Sequence, residues 1–253
     1  MTAIVLSLWF AAGCKSPPPT FEEAPPADEL YAEGLETLEG RRFLRFIPWV
    51  NHGKAIETFQ AIIDNYPYSD YAVLAELKIA DAYFDDGKYE EALSYYRDFS
   101  DLHPQHPEVP YTIWRSALCH EKRKHPPNRD QTATREAIVY LDRLLLKYPY
   151  SDYAAEGEDL WRSLRRQLAE NVVGIGNFYM KREEYESAAE RYRMLLNEYP
   201  GLGFDAETLY QLGVCYWEMN RKEEAERIFQ SIVQNFEGNK FAAKAEERIA
   251  SGD

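Results

Sequence analysis

His103 and His106 are separated by two residues, and His120 and His125 bracket the stretch HEKRKH. Imidazoles at close spacing raise the question of a metal, since histidine is the commonest side-chain ligand for one. Zinc peptidases, however, place two histidines at i and i+4 on one helical face. Neither pair has that spacing, and His103 and His106 stand at a Pro-rich boundary, so the histidines read as surface or linker groups. Gly174-Ile175-Gly176 is no phosphate loop either. No strand precedes it and it lies inside a helical pattern, where close helix packing explains small residues. No Ser/His/Asp or Cys/His arrangement is present, and the 43 acidic residues follow helix surfaces rather than converging. The expectation is a protein that is not an enzyme, with no metal and no cofactor.

Cys14 is different. The thirteen residues before it, MTAIVLSLWFAAG, carry no charged side chain and end in small residues. This resembles a bacterial lipoprotein signal ending in a lipobox, which implies that residues 1–13 are a signal peptide and that Cys14 becomes the lipidated, palmitate-bearing N-terminus. The apolar stretch is too short for a membrane-spanning helix, which needs about 20 residues. The following KSPPPTFEEAPPADE is too rich in proline to fold, so residues 14–27 are expected to form a semi-extended tether. At about 3.1 Å per residue it would reach roughly 40 Å. Three acyl chains at about 0.8 kcal/mol per buried CH₂ would make the anchor effectively permanent. Cys119 and Cys215 fall in equivalent places, each just before the residue closing a helix (His120, Tyr216), too far apart to bridge, and are expected to be buried free thiols.

The elements behind these residues repeat. YPYSDYA stands at 66–72 and again at 148–154, each copy closing one apolar helical run and opening another. The tyrosine should pack back on the helix, the proline should end it, and Ser-Asp should start the next as cap and first-turn acid. Aligned on alanine, the chain gives Ala55-x₃-Phe59, Ala92-x₃-Tyr96, Ala137-x₃-Leu141, Ala188-x₃-Tyr192 and Ala225-x₃-Phe229. Twelve positions on stand Pro67, Pro104, Pro149, Pro200 and Glu237. Upstream, Ile79-Ala80-x₂-Tyr83, Ile175-Gly176-x₂-Tyr179 and Leu212-Gly213-x₂-Tyr216 keep a constant interval. This is the tetratricopeptide pattern, in which a small residue lets two antiparallel helices cross closely and an aromatic ring fills the gap beside it.

The predicted fold is all-α: a right-handed superhelical solenoid of five tetratricopeptide repeats with a C-terminal capping helix. Repeat 1 spans 28–69 with an insertion, repeat 2 spans 70–107, repeat 3 spans 108–151 with a loop insertion, repeat 4 spans 152–203, repeat 5 spans 204–237 and the cap 238–253. The insertion RRFLRFIPWVNH in repeat 1 offers Phe43, Phe46, Ile47 and Trp49 as an apolar projection. Repeat 3 gains the loop HPPNRDQTA. Repeat 4 gains fourteen residues, so 152–181 reads as one long helix with Tyr153, Leu160, Leu164, Leu168, Val172 and Ile175 along its inner side. The cap sets Phe241, Ala245 and Ile249 on one face.

In such solenoids the first helix of each pair lines the concave face. Offsets from the packing positions put Glu36, Asp81, Phe84, Tyr111 and Trp114 there, and exposed aromatics on a concave wall would receive an extended chain. The competing reading is that Phe84 and Trp114 pack between repeats. A formal net charge of −14 opposes nucleic acid and anionic lipid and favours a protein partner.

The leader, the Pro-rich tether, PADELYAEGL entering the first repeat, the NRDQTATREA segment and the elongated helix together resemble the BamD family of outer-membrane lipoproteins. The resemblance covers about Glu29 to Phe236. The insertion RRFLRFIPWVNH and the acidic balance depart from the family pattern. What it implies is a scaffold of the Bam machinery, lipid-anchored at the periplasmic face of the outer membrane. Its C-terminal repeats would dock on a POTRA domain of the barrel subunit BamA alongside other Bam subunits, and its N-terminal repeats would receive unfolded β-barrel precursors. Arg191 matches the family arginine that pairs with an acidic residue of BamA; read alone, it is a solvated helix charge beside Glu190. Another periplasmic tetratricopeptide adaptor, such as a Tol-Pal-associated cell-wall coordinator, remains the alternative.

Overall fold

The computed structural model describes residues 24–43 and 47–251. Eleven helices follow one another among them: α1 (Ala27–Glu39), α2 (His52–Asn65), α3 (Asp70–Asp85), α4 (Tyr89–Leu102), α5 (Val109–Lys122), α6 (Thr132–Lys147), α7 (Ala154–Lys181), α8 (Tyr185–Glu198), α9 (Asp205–Glu218), α10 (Lys222–Asn235) and α11 (Lys240–Ser251). Each packs chiefly on the next, while α1 reaches α3 and α9 reaches α11. That neighbour-only contact pattern is the mark of a solenoid, here all-α and built of tetratricopeptide units.

The close crossings rest on the small residues. A Cβ added to Gly176 would lie 2.6 Å from the Tyr192 ring, and one added to Gly213 would lie 2.5 Å from Phe229. Gly34 meets Phe59 in the same way at 2.5 Å, so the first repeat uses the same device. Tyr96, Tyr192, Phe59 and Phe229 are accordingly among the most deeply buried large side chains. The second helices all end alike. Tyr66, His103, Tyr148, Tyr199 and Phe236 cap α2, α4, α6, α8 and α10, each N–H donating to the carbonyl four residues back. Proline follows the first four, which disfavours continued helix. Phe236 adopts the same conformation before Glu237, so packing alone can set the stop there.

The two YPYSDYA copies diverge. Ser69 caps α3, its side chain accepting from the Ala72 N–H at 3.2 Å. In the second copy α7 begins only at Ala154, two residues later than expected, and the buried Ser151 hydroxyl has no hydrogen-bond partner. The expected cap is therefore absent there. In both copies the third tyrosine packs on a tyrosine of the preceding first helix: Tyr71 lies 5.4 Å from Tyr31, and Tyr153 lies 5.4 Å from Tyr111.

Several expectations are refined. The repeat-1 insertion forms a short antiparallel hairpin of β1 (Arg41–Phe43) and β2 (Ile47–Trp49), pairing Arg41 with Trp49 and Phe43 with Ile47. Aromatic and branched residues favour a pleated ribbon there, and Pro48 disfavours a helix. Phe46 lies outside the described residues. Along α7, Leu164, Leu168 and Val172 are buried as expected, whereas Leu160 and Ile175 are only half-buried. In α11, Phe241 and Ala245 are buried but Ile249 is 39% exposed, lining an open hollow with Gln230 and Val233 of α10. α5 and α9 continue two residues beyond His120 and Tyr216. His120 is buried and stacked on Tyr140, so it is not a surface histidine.

Candidate functional site

The first helices of repeats 2 and 3 bring a polar network together. Asp81 on α3 accepts through Oδ1 from the Tyr96 hydroxyl at 2.7 Å and the Tyr111 hydroxyl at 2.6 Å. Lys78 lies 3.3 Å from the other carboxylate oxygen. Arg115 on α5 donates Nε to Tyr96 Oη at 2.9 Å, reaches Asp85 at 3.5 Å, and holds its guanidinium 3.8 Å from the Phe84 ring centre. Burial, reinforced by the Asp81 charge, pushes the Tyr96 and Tyr111 phenols well above their ordinary pKa, so both remain neutral donors.

This geometry corrects the expected aromatic wall. Trp114 is only 9% exposed and belongs to the core shared by α3 to α7, since its position on α5 turns it between helices. Phe84 is half-buried, covered by Arg115 and packed edge-on against Tyr89 at 5.2 Å. Asp81 does not stand free on that wall; two phenols and two cations occupy it. Tyr111 is half-buried and Glu36, on α1, is exposed and apart from the network. Sequence reasoning missed Tyr96 and Arg115. The signal was there in the i,i+4 spacing of Tyr111 and Arg115, which sets them on one helical face.

A second constellation joins the two insertions. Gln131 is buried and donates to the Pro126 and Arg129 carbonyls at 2.8 and 3.0 Å, folding the loop before α6 around itself. Gln167, from the long α7, donates to Gln131 Oε1 at 2.7 Å and to the His125 carbonyl at 2.9 Å. Asn171, one turn on, donates to the Pro127 carbonyl at 2.5 Å. The extra turns of α7 thus hold the extra loop of repeat 3.

Arg191 stands half-buried on α8, its guanidinium 4.0 Å from Met194 Sδ. Among the described residues no carboxylate lies within ion-pair distance of it, although Glu190 is adjacent in sequence. Cys14 lies outside the described residues. Burial pushes the Cys119 and Cys215 thiols up to about 12, and both are free and buried, as expected. Among the described residues no helix is long and apolar enough to cross a membrane.

Comparison with known proteins follows the same architecture. The family model described as outer membrane lipoprotein, YfiO, matches residues 24–230. Outer membrane protein assembly factor BamD of Caulobacter vibrioides is 27% identical over 247 residues, covering 96% of this chain and 78% of that protein. The protein of that name in Neisseria gonorrhoeae is 26% identical over 228 residues, covering 86% and 82% respectively. The one in Rickettsia prowazekii is 25% identical over 245 residues, covering 97% and 94%. The family match takes in α1 to α9 and the first part of α10, with the Gln131 loop and the long α7 that holds it, and the chain belongs to the YfiO family of outer membrane lipoproteins, the BamD family.

Proposed function

We propose that this protein is a non-enzymatic scaffold of outer-membrane protein assembly, acting within a Bam complex and lipid-anchored at the periplasmic face of the outer membrane. The observation that carries the reading is the family match across 24–230, with relatives named as assembly factors over nearly the whole chain. Docking on a POTRA domain of BamA is assigned to α8 through Arg191. Its lack of an acidic partner among the described residues supports an ion pair completed by another protein, because a half-buried cation is stabilised by a carboxylate brought to it. Cys14 is the proposed lipid site.

Reception of unfolded barrel precursors by the first three repeats would use the half-buried Phe84 and Tyr111 and the exposed Glu36. Asp81 and Trp114 would support that surface from behind. Purification from detergent-solubilised outer membrane tests the function as a whole. Recovery of a barrel protein carrying POTRA domains is the expected result, and recovery of Tol-Pal components instead would replace it with the cell-wall adaptor reading. Cys14→Ala should abolish palmitate labelling and release the chain from the membrane.

A further inference from the structure

The end of the solenoid gathers Lys240, Lys244 and Arg248 on α11 beside Lys222 of α10. α11 packs on α10 and touches α9, occupying the place of a further first helix. Lys244, Arg248, Glu247 and Ser251 line an open cleft there with Tyr210 of α9. Lys244 Nζ sits 5.9 Å from the Tyr210 ring centre and 5.5 Å from that of Phe241, and Lys240 Nζ sits 4.7 Å from Phe241. Arg248 lies 5.8 Å from the Trp217 ring, where Lys222 also sits at 4.5 Å.

Two acids stand near these four cations, while Glu246 lies on the other side of α11 with Gln230 and Ile249. Glu218 stands 3.6 Å from Arg248, and Glu247 lines the cleft. Neither Lys240 nor Lys244 has a carboxylate within ion-pair distance among the described residues, and the buried Arg248 Nε has no hydrogen-bond partner. Cations held over rings by cation–π contact keep their charge while their N–H donors stay available. In a chain of net charge −14, Lys240 and Lys244, which have no carboxylate at ion-pair distance among the described residues, are not needed for solubility.

We propose that the cleft between α9 and α11, built on Tyr210, Lys244 and Arg248, binds an acidic, extended polypeptide segment. The overall negative field disfavours large polyanions, whereas a short acidic segment meets mainly the local cations. The site lies on first-helix positions of the last repeat and cap, not on α8, and so goes beyond the Arg191 docking surface.

Fluorescence anisotropy of a labelled peptide alternating Glu and Ser, titrated with the full chain, tests this. The peptide should bind, its Gln/Ser analogue should bind at least tenfold more weakly, and Lys244→Glu should lower affinity at least tenfold while Arg191→Glu leaves it unchanged. Lys244→Gln, which adds no repulsion, should give an intermediate loss. Equal binding of the Gln analogue, an unchanged affinity in both Lys244 variants, loss on Arg191→Glu alone, or equal competition by a single-stranded DNA oligonucleotide would each overturn the proposal.

Discussion

Gln167 on α7 donates to the side-chain carbonyl of Gln131, 36 positions earlier, at 2.7 Å. One amide thereby fixes a loop that has no counterpart in the other repeats to turns of helix that have none either. Gln167→Leu would remove the donor to the His125 carbonyl and leave Gln131 Oε1 with the Thr134 hydroxyl alone, 3.1 Å away. A hydrogen bond of this kind contributes about 0.5–1.5 kcal/mol net. Urea unfolding should show a loss in that range, and hydrogen exchange should speed up across 125–134 ahead of the rest. Uniform exchange in the variant would mean that the loop stands without α7.

Gly174 and Gly176 are two residues apart on α7, yet substitution should move stability in opposite directions. A Cβ at Gly174 meets nothing within 4 Å, so Gly174→Ala should gain about 1 kcal/mol from helix propensity. At Gly176 the Tyr192 ring is 2.6 Å from the same atom, and Gly176→Ala should lose about 1–3 kcal/mol. Denaturant midpoints of the two variants give the comparison directly, and equal shifts would contradict the packing described.

Trp114 should behave as a core residue. Truncation to alanine in a packed interior costs about 3–5 kcal/mol, so Trp114→Ala should lower the melting temperature by many degrees. An unaltered melting temperature with weakened binding of a barrel-derived peptide would restore the expected exposed wall.

The solenoid was legible because its signal is repeated. Ala-x₃-aromatic spacing and the boundary prolines report helix crossings and stops that recur along the chain, and the long α7 followed from counting residues between them. Three features were not. The hairpin between α1 and α2 stands outside the repeat, so no second copy disclosed its period. Ser151 shares its heptapeptide with Ser69, and Tyr71 and Tyr153 make matching ring contacts, so neither the identical local sequence nor that contact separates the capped start of α3 from the later start of α7. Trp114 sits one position from Arg115, and a rotation of α5 by a single residue decides which of the two meets the core.

His120 gives the chain a pH dependence. Burial, then the charge of Arg123, hold its imidazole below the ordinary pKa, with Glu136 opposing. The folded state therefore favours neutral His120 relative to the unfolded chain, in which it titrates near about 6.5. Its stabilisation is fully present above that pH and is lost as pH falls through the lower folded-state value. Unfolding free energies measured from about pH 7.5 down to about 5 should decline, and His120→Gln should flatten the decline. An identical slope in the variant would assign the dependence to other groups.

α8 is proposed to dock an acidic partner through Arg191. Isothermal titration of the full chain with the POTRA fragment of the co-purified barrel protein tests it most directly. Arg191→Glu sets like charges together, and breaking a buried interfacial pair costs about 2–5 kcal/mol, so affinity should fall at least thirtyfold. Helicity and melting temperature should stay at the wild-type values, and a charge-reversed acid on the partner should restore binding. Undiminished affinity of Arg191→Glu would contradict the account, as would a loss that tracks a lowered melting temperature.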